Sequence, residues 1–139
     1  MADTVTKSVR SRIMTSVGRK DTRPELIVRS LLHEIGFRFR LHRKNLPGTP
    51  DIVLPRYKTA IFVHGCFWHQ HPGCSKSKRP SSNIKYWENK LDKNVERDKL
   101  KLNELKHIGW RVLLVWECET KDLNSLAIKL NRFLRNDLK

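Results

Sequence analysis

The sequence predicts an α/β fold, a single domain with a mixed β-sheet flanked by helices, and three observations predict it. Alternating or short apolar runs mark four strands, a long helical stretch separates the third strand from the fourth, and capping signals place a helix near each end. A crossover helix between the third and fourth strands implies a parallel pair beside an antiparallel meander, in the order α-β-β-β-α-β-α. At 139 residues the chain has enough material for one core and not for two. It divides into a basic N-terminal arm, 1–21, and a folded domain, 22–139.

The arm carries Lys7, Arg10, Arg12, Arg19 and Lys20, with only Ile13, Met14 and Val17 as an apolar face. A merely disordered terminus is the rival reading of the same composition. Thr22-Arg23-Pro24-Glu25 has the form of a capping box, with Pro24 tolerated in the first turn. The helix it opens runs to about Ile35 on Leu26, Ile27, Leu31, Leu32 and Ile35, and Gly36 suits its C-terminal cap. Alternation over 37–41 reads as a strand with one buried face, and 45–50 is a turn cluster.

Two further strands, 51–55 and 59–64, are joined by the hairpin-length loop 56–58. Setting Pro55 opposite Thr59 puts Asp51 opposite Val63. The stretch 83–107 is a polar helix on Leu91, Val95, Leu100, Leu102 and Leu105, most of its charges forming a solvated face. The apolar run 110–116 suggests a central strand buried on both sides. Thr120 then caps a last helix on Leu123, Leu126, Ile128, Leu130, Phe133 and Leu134.

Charge narrows the function. Twenty-nine Lys and Arg against 14 Asp and Glu leave a net charge of +15, a field that calls for a polyanion, and phosphate backbones are the commonest one. No apolar run approaches the roughly 20 residues that span a bilayer. With no signal-peptide core, a cytosolic protein is expected, in which the three cysteines do not form structural disulfides.

Those cysteines have another use. Cys66, His71 and Cys74 form a C-x4-H-x2-C loop after the third strand, and Cys118 follows the fourth, so parallel neighbours bring all four side chains to one end of the sheet. Three thiolates and one imidazole make the closed ligand set of a structural Zn2+. Three buried free thiols and an unrelated histidine are the alternative. Phe67 and Trp68 lie inside this loop, and Trp87 with Tyr86 opens the long helix. Large aromatics on so basic a protein suit a wedge between DNA base steps, ordinary packing being the alternative.

Asp51 has few charged neighbours in sequence: from 51 to 75 only Arg56 and Lys58 are charged besides it. A lone carboxylate in a positive field suits Mg2+, which takes one or two carboxylates, waters and substrate phosphate. The register would add the Val63 backbone carbonyl. Satisfying turn amides is the plainer role for Asp51.

Three segments, 20–25, 46–55 and above all Val63-His64-Gly65-Cys66-Phe67-Trp68-His69-Gln70-His71-Pro72-Gly73-Cys74, closely resemble the very short patch repair endonuclease family, and the likeness extends over 10–135. That family falls in the PD-(D/E)xK nuclease superfamily, so the resemblance implies a restriction-endonuclease-like core. It also implies a Mg2+-dependent enzyme that nicks duplex DNA 5′ of the T in T·G mismatches left by deaminated 5-methylcytosine. By the same resemblance Asp51 is the catalytic metal ligand, His69 the general base and His64 an assistant at the scissile phosphate. Glu25 holds water and metal, and Asp98 matches an acidic position on the long helix. Phe67, Trp68 and Trp87 match the mismatch wedge, and Arg10, Arg12, Arg19 and Lys20 a DNA-embracing arm. The chain departs from the superfamily pattern at Val63, where the second acid would stand, so main-chain oxygen must serve, and at Gly65, where the lysine would stand, so a histidine must be the base. A bacterial, cytoplasmic monomer is implied, cooperating with other mismatch-repair proteins. A restriction-type nuclease of the same fold and a non-catalytic, zinc-stabilised DNA-binding module are the competing readings.

Overall fold

The computed structural model describes residues 21–136. Arg10, Arg12, Arg19 and Lys20 of the expected arm lie outside the described residues. Seven main elements follow in chain order: α1 (Arg23–Glu34), β1 (Arg40–Leu41), β2 (Ile52–Leu54), β3 (Thr59–His64), α2 (Ile84–His107), β4 (Arg111–Trp116) and α3 (Leu123–Asn136). The sheet order is β1-β2-β3-β4, with two antiparallel pairings followed by a parallel one. The mixed sheet and the order of elements are therefore as expected.

Alternation along the strands sends side chains to two layers. Ile52, Leu54, Ile61, Leu113 and Val115 face α1 and α3, where Val28, Leu31, Leu32, Leu126, Leu130 and Leu134 complete the larger core. On the opposite face Val53, Ala60 and Phe62 meet Leu46 and Leu105, with Leu102, Trp110, Val112 and Leu114 packed against them. Each fully buried Leu or Ile stabilises the fold by roughly 1.5–3 kcal/mol through the apolar area it removes from water. On the helices the buried stripe is narrower than the sequence suggests. Leu26, Leu100, Leu123 and Ile128 are exposed, and Val28 is fully buried in their place on α1.

Four differences from the sequence reading have local causes. Strand β1 is two residues long, Arg40–Leu41, and the chain before it keeps the expected alternation without pairing, Phe37 and Phe39 packing on the larger core while Arg38 is exposed. The β2–β3 loop contains a 3-10 turn, Pro55–Tyr57, closed by Lys58 in the left-handed region, so Leu54 and not Pro55 opposes Thr59. The pairing is thereby shifted by one residue. Strand β4 is an edge strand, not a central one, and its apolar run reflects helices covering both faces. Side chains cap its outer backbone groups: Lys129 Nζ donates to the Leu114 carbonyl at 2.9 Å, and Glu119 accepts from Trp116 N–H at 2.9 Å. Finally, Asp122 accepts from Ser125 N–H at the start of α3, while the hydroxyl of Thr120, the expected cap, donates to the Glu117 carbonyl in a 3-10 turn just before.

The turn leading into β2 depends on Gly48. Its φ is +76°, and a Cβ there would come within 3.0 Å of Lys101 Cβ and 3.2 Å of the Phe62 ring. That close approach seats the turn under α2 and brings Asp51 in beside β3.

Candidate active site

The C-terminal ends of β3 and β4 lie side by side, with His64 paired to Trp116. Two clusters grow from this edge. In the first, the Asp51 carboxylate accepts the Val63 N–H at 2.8 Å. Burial, reinforced by the charge of Glu25, pushes the Asp51 carboxyl up to about 7, against the opposing pull of the Val63 N–H, His42 and His69. His64 is buried next to Val63, and burial, aided by the neighbouring His69, lowers it to about 4. Its imidazole is neutral at pH 7, and its Nδ1 is a buried polar atom without a partner.

His69 stacks on His64 with centroids 3.8 Å apart and planes 9° apart. Its Nδ1 lies 2.6 Å from Asp98 Oδ2, a carboxylate presented by α2. A carboxylate accepting at Nδ1 holds the proton there and leaves Nε2 with its lone pair, the tautomer a general base requires. Asp98, expected from the family resemblance as an acidic position on the long helix, is thus the partner of His69. The ligand atoms of His64, His69 and Asp98 all lie within 4.8 Å of one another.

Glu25 is buried at the start of α1. Its N–H donates to Thr22 Oγ1 at 3.3 Å, half of the expected capping box. Its carboxylate does not complete the box: it is held by Arg29 and by His42 Nε2, the latter at 2.9 Å.

The second cluster is the cysteine and histidine loop. Ligand atoms of Cys66, His71, Cys74 and Cys118 all fall within 4.8 Å of one another, and His71 Nδ1 is 3.6 Å from Cys66 Sγ and 3.5 Å from Cys118 Sγ. Metal–sulfur bonds of about 2.3 Å and metal–nitrogen bonds of about 2.0–2.1 Å at a tetrahedral angle span about 3.5 Å between S and N, so the four groups fit one ion. Burial pushes the Cys66 thiol up to about 12, so a thiolate there calls for a neighbouring cation. Turn bonds shape the loop, His69 N–H to Gly65 O and His71 N–H to Cys66 O, and the His71 ring stacks on Trp116 at 4.2 Å.

Comparison with known proteins gives this arrangement its context. Residues 2–76 match the family model described as DNA mismatch endonuclease Vsr. Over 134 residues the chain is 51% identical to the type II nicking enzyme V.XorIIP of Xanthomonas oryzae pv. oryzae, covering 96% of this chain and 98% of that one. It is 43% identical over 127 residues to the DNA mismatch endonuclease Vsr of Escherichia coli, covering 91% and 81%.

The chain belongs to the Vsr family of DNA mismatch endonucleases.

The fold agrees with that membership. The catalytic domain of homing endonuclease I-Bth0305I superposes with a TM-score of 0.61 at 26% identity, covering 86% of this Vsr chain and all of the other. Among the described residues no helix is long and apolar enough to cross a membrane. Family and fold together make this chain a DNA endonuclease.

Within this Vsr domain the predicted aromatics sit together, outside both cores. Phe67 meets Trp68 and Trp87 edge-on at 5.2 and 5.4 Å, Trp68 and Trp87 are 5.9 Å apart, and Tyr86 adjoins Trp87 at 5.1 Å. Trp68 is 44% exposed, so the group presents apolar surface to solvent and is not ordinary core packing. Several polar residues that sequence reasoning missed support the Vsr site. Gln70 donates to the carbonyls of Phe67 and Ser77 at 2.7 and 3.1 Å, and Arg79 joins Gln70 to Asp92 on α2. Asn94 donates to the Trp68 carbonyl at 3.3 Å. The other missed residue is His42. It has no spacing signal, because its contacts to 25 and 51 exist only in the folded chain.

Proposed function

We propose that the chain nicks duplex DNA at T·G mismatches, on the 5′ side of the mismatched T, by water attack on the phosphodiester that depends on Mg2+. The observation that carries this reading is the double placement made by one loop. It delivers His69 to Asp98, within electrostatic reach of Asp51, and it delivers Phe67 and Trp68 to Trp87. The proposed base and the proposed wedge would thereby be carried by the same loop.

Asp51 would hold the cation with the Val63 carbonyl. Extending the β2–β3 register past Ile52 and Ile61 sets Val63 against Pro50, which has no N–H to give that oxygen. Glu25, electrostatically coupled to Asp51, would hold a water of the metal's shell. Bound there, Mg2+ would polarise the scissile phosphate and stabilise the leaving oxygen. His69 takes the proton of the attacking water through Nε2, and Asp98 stabilises the imidazolium that forms. Neutral His64, stacked under His69, would assist at the scissile phosphate. Zn2+ held by Cys66, His71, Cys74 and Cys118 would be structural, since four protein ligands leave no open position. Phe67, Trp68 and Trp87 would enter the base stack at the mismatch, while Arg10, Arg12, Arg19 and Lys20 would engage phosphates. Acid, base and wedge all come from one chain, so a monomer suffices.

A cleavage panel tests the reading. Duplexes with every mismatch in several sequence contexts are incubated with and without Mg2+, and a nick 5′ of T in T·G duplexes alone is the expected product. Equal cutting of matched and mismatched duplexes would replace it with a restriction-type nuclease. Mismatch binding indifferent to Mg2+ and without a strand break would make the chain a binding module.

Replacing His69 by Ala should lower the nicking rate by about 10²–10⁴-fold, the usual contribution of a general base. Asp98→Asn should lower it less and leave duplex affinity unchanged in a gel shift. A further expectation concerns the metal-free protein. The folded-state value of Asp51, about 7, lies above its ordinary 3.8, so folding favours the neutral acid. That contribution is complete below about pH 4 and is lost as the pH rises through 7. Thermal melts without added Mg2+ should show a steeper loss of stability between pH 4 and 7 for the natural chain than for Asp51→Asn.

A further inference from the structure

We infer that His42 is a positioning residue that ties together the two carboxylates of the site, Glu25 and Asp51, which come from different elements of the fold. This rests on the reading of those two residues as the metal-holding acids. The His42 ring reaches the side chain of one: Nε2 is 2.9 Å from Glu25 Oε2. Its backbone fixes the main chain of the other, the His42 N–H donating to the Asp51 carbonyl at 3.2 Å. One residue thus sets the side chain of the first acid and the backbone of the second.

The local conformation shows that this placement is imposed. His42 follows β1 directly, with φ at +47°, in the left-handed region that non-glycine residues seldom adopt, Asn, Asp and His more than others. The turn directs the main-chain N–H to Asp51 while the ring extends to α1. The Glu25 side chain is only 2% exposed and has two side-chain partners, Arg29 and His42. Arg29 also binds Asp21, towards the outer end of α1. Without His42, Glu25 is left with a partner that is itself shared with an exposed acid. His42 therefore shares Oε2 of Glu25 with Arg29 and holds the carboxylate from the turn whose backbone binds Asp51. For this geometry Nε2 carries the proton it donates.

Two substitutions separate the ring contact from the backbone. His42→Asn retains a residue suited to the left-handed turn and keeps the N–H to Asp51, but its side chain is too short to reach Glu25. His42→Gln restores a side-chain donor of nearly the imidazole's reach. Mn2+ binding to the protein with a phosphorothioate T·G duplex that resists cleavage, followed by calorimetry, is the primary readout. His42→Asn should weaken Mn2+ binding by about 10-fold or more, as loss of an outer hydrogen bond to a metal-site residue does. His42→Gln should recover most of that loss, and duplex affinity without divalent ions and zinc content should stay at wild-type values. In a Glu25→Gln background the same His42→Asn change should have little further effect. Unchanged Mn2+ affinity in folded His42→Asn, or an equal loss in both backgrounds, would overturn the assignment. A wild-type protein that binds no Mn2+ and makes no nick would overturn the proposed function along with it. Melting temperatures guard against misfolding, and if His42→Asn fails to fold, His42→Gly, which also suits the left-handed turn and lacks the ring, takes its place in the cycle with Glu25→Gln.

Discussion

Replacing Asp51 by Ala should abolish Mg2+-dependent nicking of a T·G duplex, lowering the rate by about 10³-fold or more, equal to roughly 4 kcal/mol of lost transition-state stabilisation. The expectation follows from where the carboxylate sits. It is half-buried and fixed by a 2.8 Å hydrogen bond from Val63 N–H, and burial, reinforced by the charge of Glu25, pushes it up to about 7. A site that places an acid at such a cost has a use for positive charge beside it. Single-turnover kinetics on a labelled duplex reads the effect. Gel-shift affinity should change much less, because phosphate contacts carry most of nonspecific binding. Full Mg2+-dependent activity in Asp51→Ala would remove the mechanism, and leave His69 and Asp98 needing another role.

The second large effect is on folding. Cys118→Ala should strip bound zinc and lower the melting temperature by about 10 °C or more, the scale on which several kcal/mol shift a domain of this size. Cys118 is the better choice because it is half-buried, so truncation there removes a ligand and little packing. Cys66 is fully buried, and Cys66→Ser keeps its volume as a second test. The consequence should extend to catalysis, since the loop that carries the ligands also carries His69 and the aromatics. Scanning calorimetry with elemental analysis checks both: folded natural protein without zinc, or Cys118→Ala melting like wild type, would contradict a structural ion. Strong chelators should reproduce the loss in the unmodified chain.

Much of this protein was legible from local chemistry. The element order, the Thr22 cap, strand 59–64 and the long helix arise from periodicity and capping, which depend on neighbours within a few residues. The four metal-ligand candidates were legible because their spacing is peculiar to their chemistry, and the structure brings the four together, whereas Asp51 stood out only for its lack of charged neighbours. His64, His69 and Asp98 were named through family resemblance, and only the fold joined them. Asp98 lies 29 residues beyond His69, and their contact requires α2 to pass beside the loop.

The misread features share one cause, the override of local pattern by tertiary contact. An apolar run such as Val112 to Val115 says that both faces of a strand are covered, but it says nothing of the strand's edges, so β4 was placed centrally when it is marginal. The hairpin register depended on whether Pro55 ends β2 or begins a 3-10 turn, a choice of one residue that loop spacing does not resolve. His42 and Gln70, both at positive φ, act through side-chain and backbone hydrogen bonds whose geometry only the folded chain sets. Sequence alone therefore determined which groups are candidates for binding metal, moving a proton and meeting a duplex. The tertiary structure decided which of them meet, because a hydrogen bond needs a distance and a direction, and both are set by the packing of the whole chain.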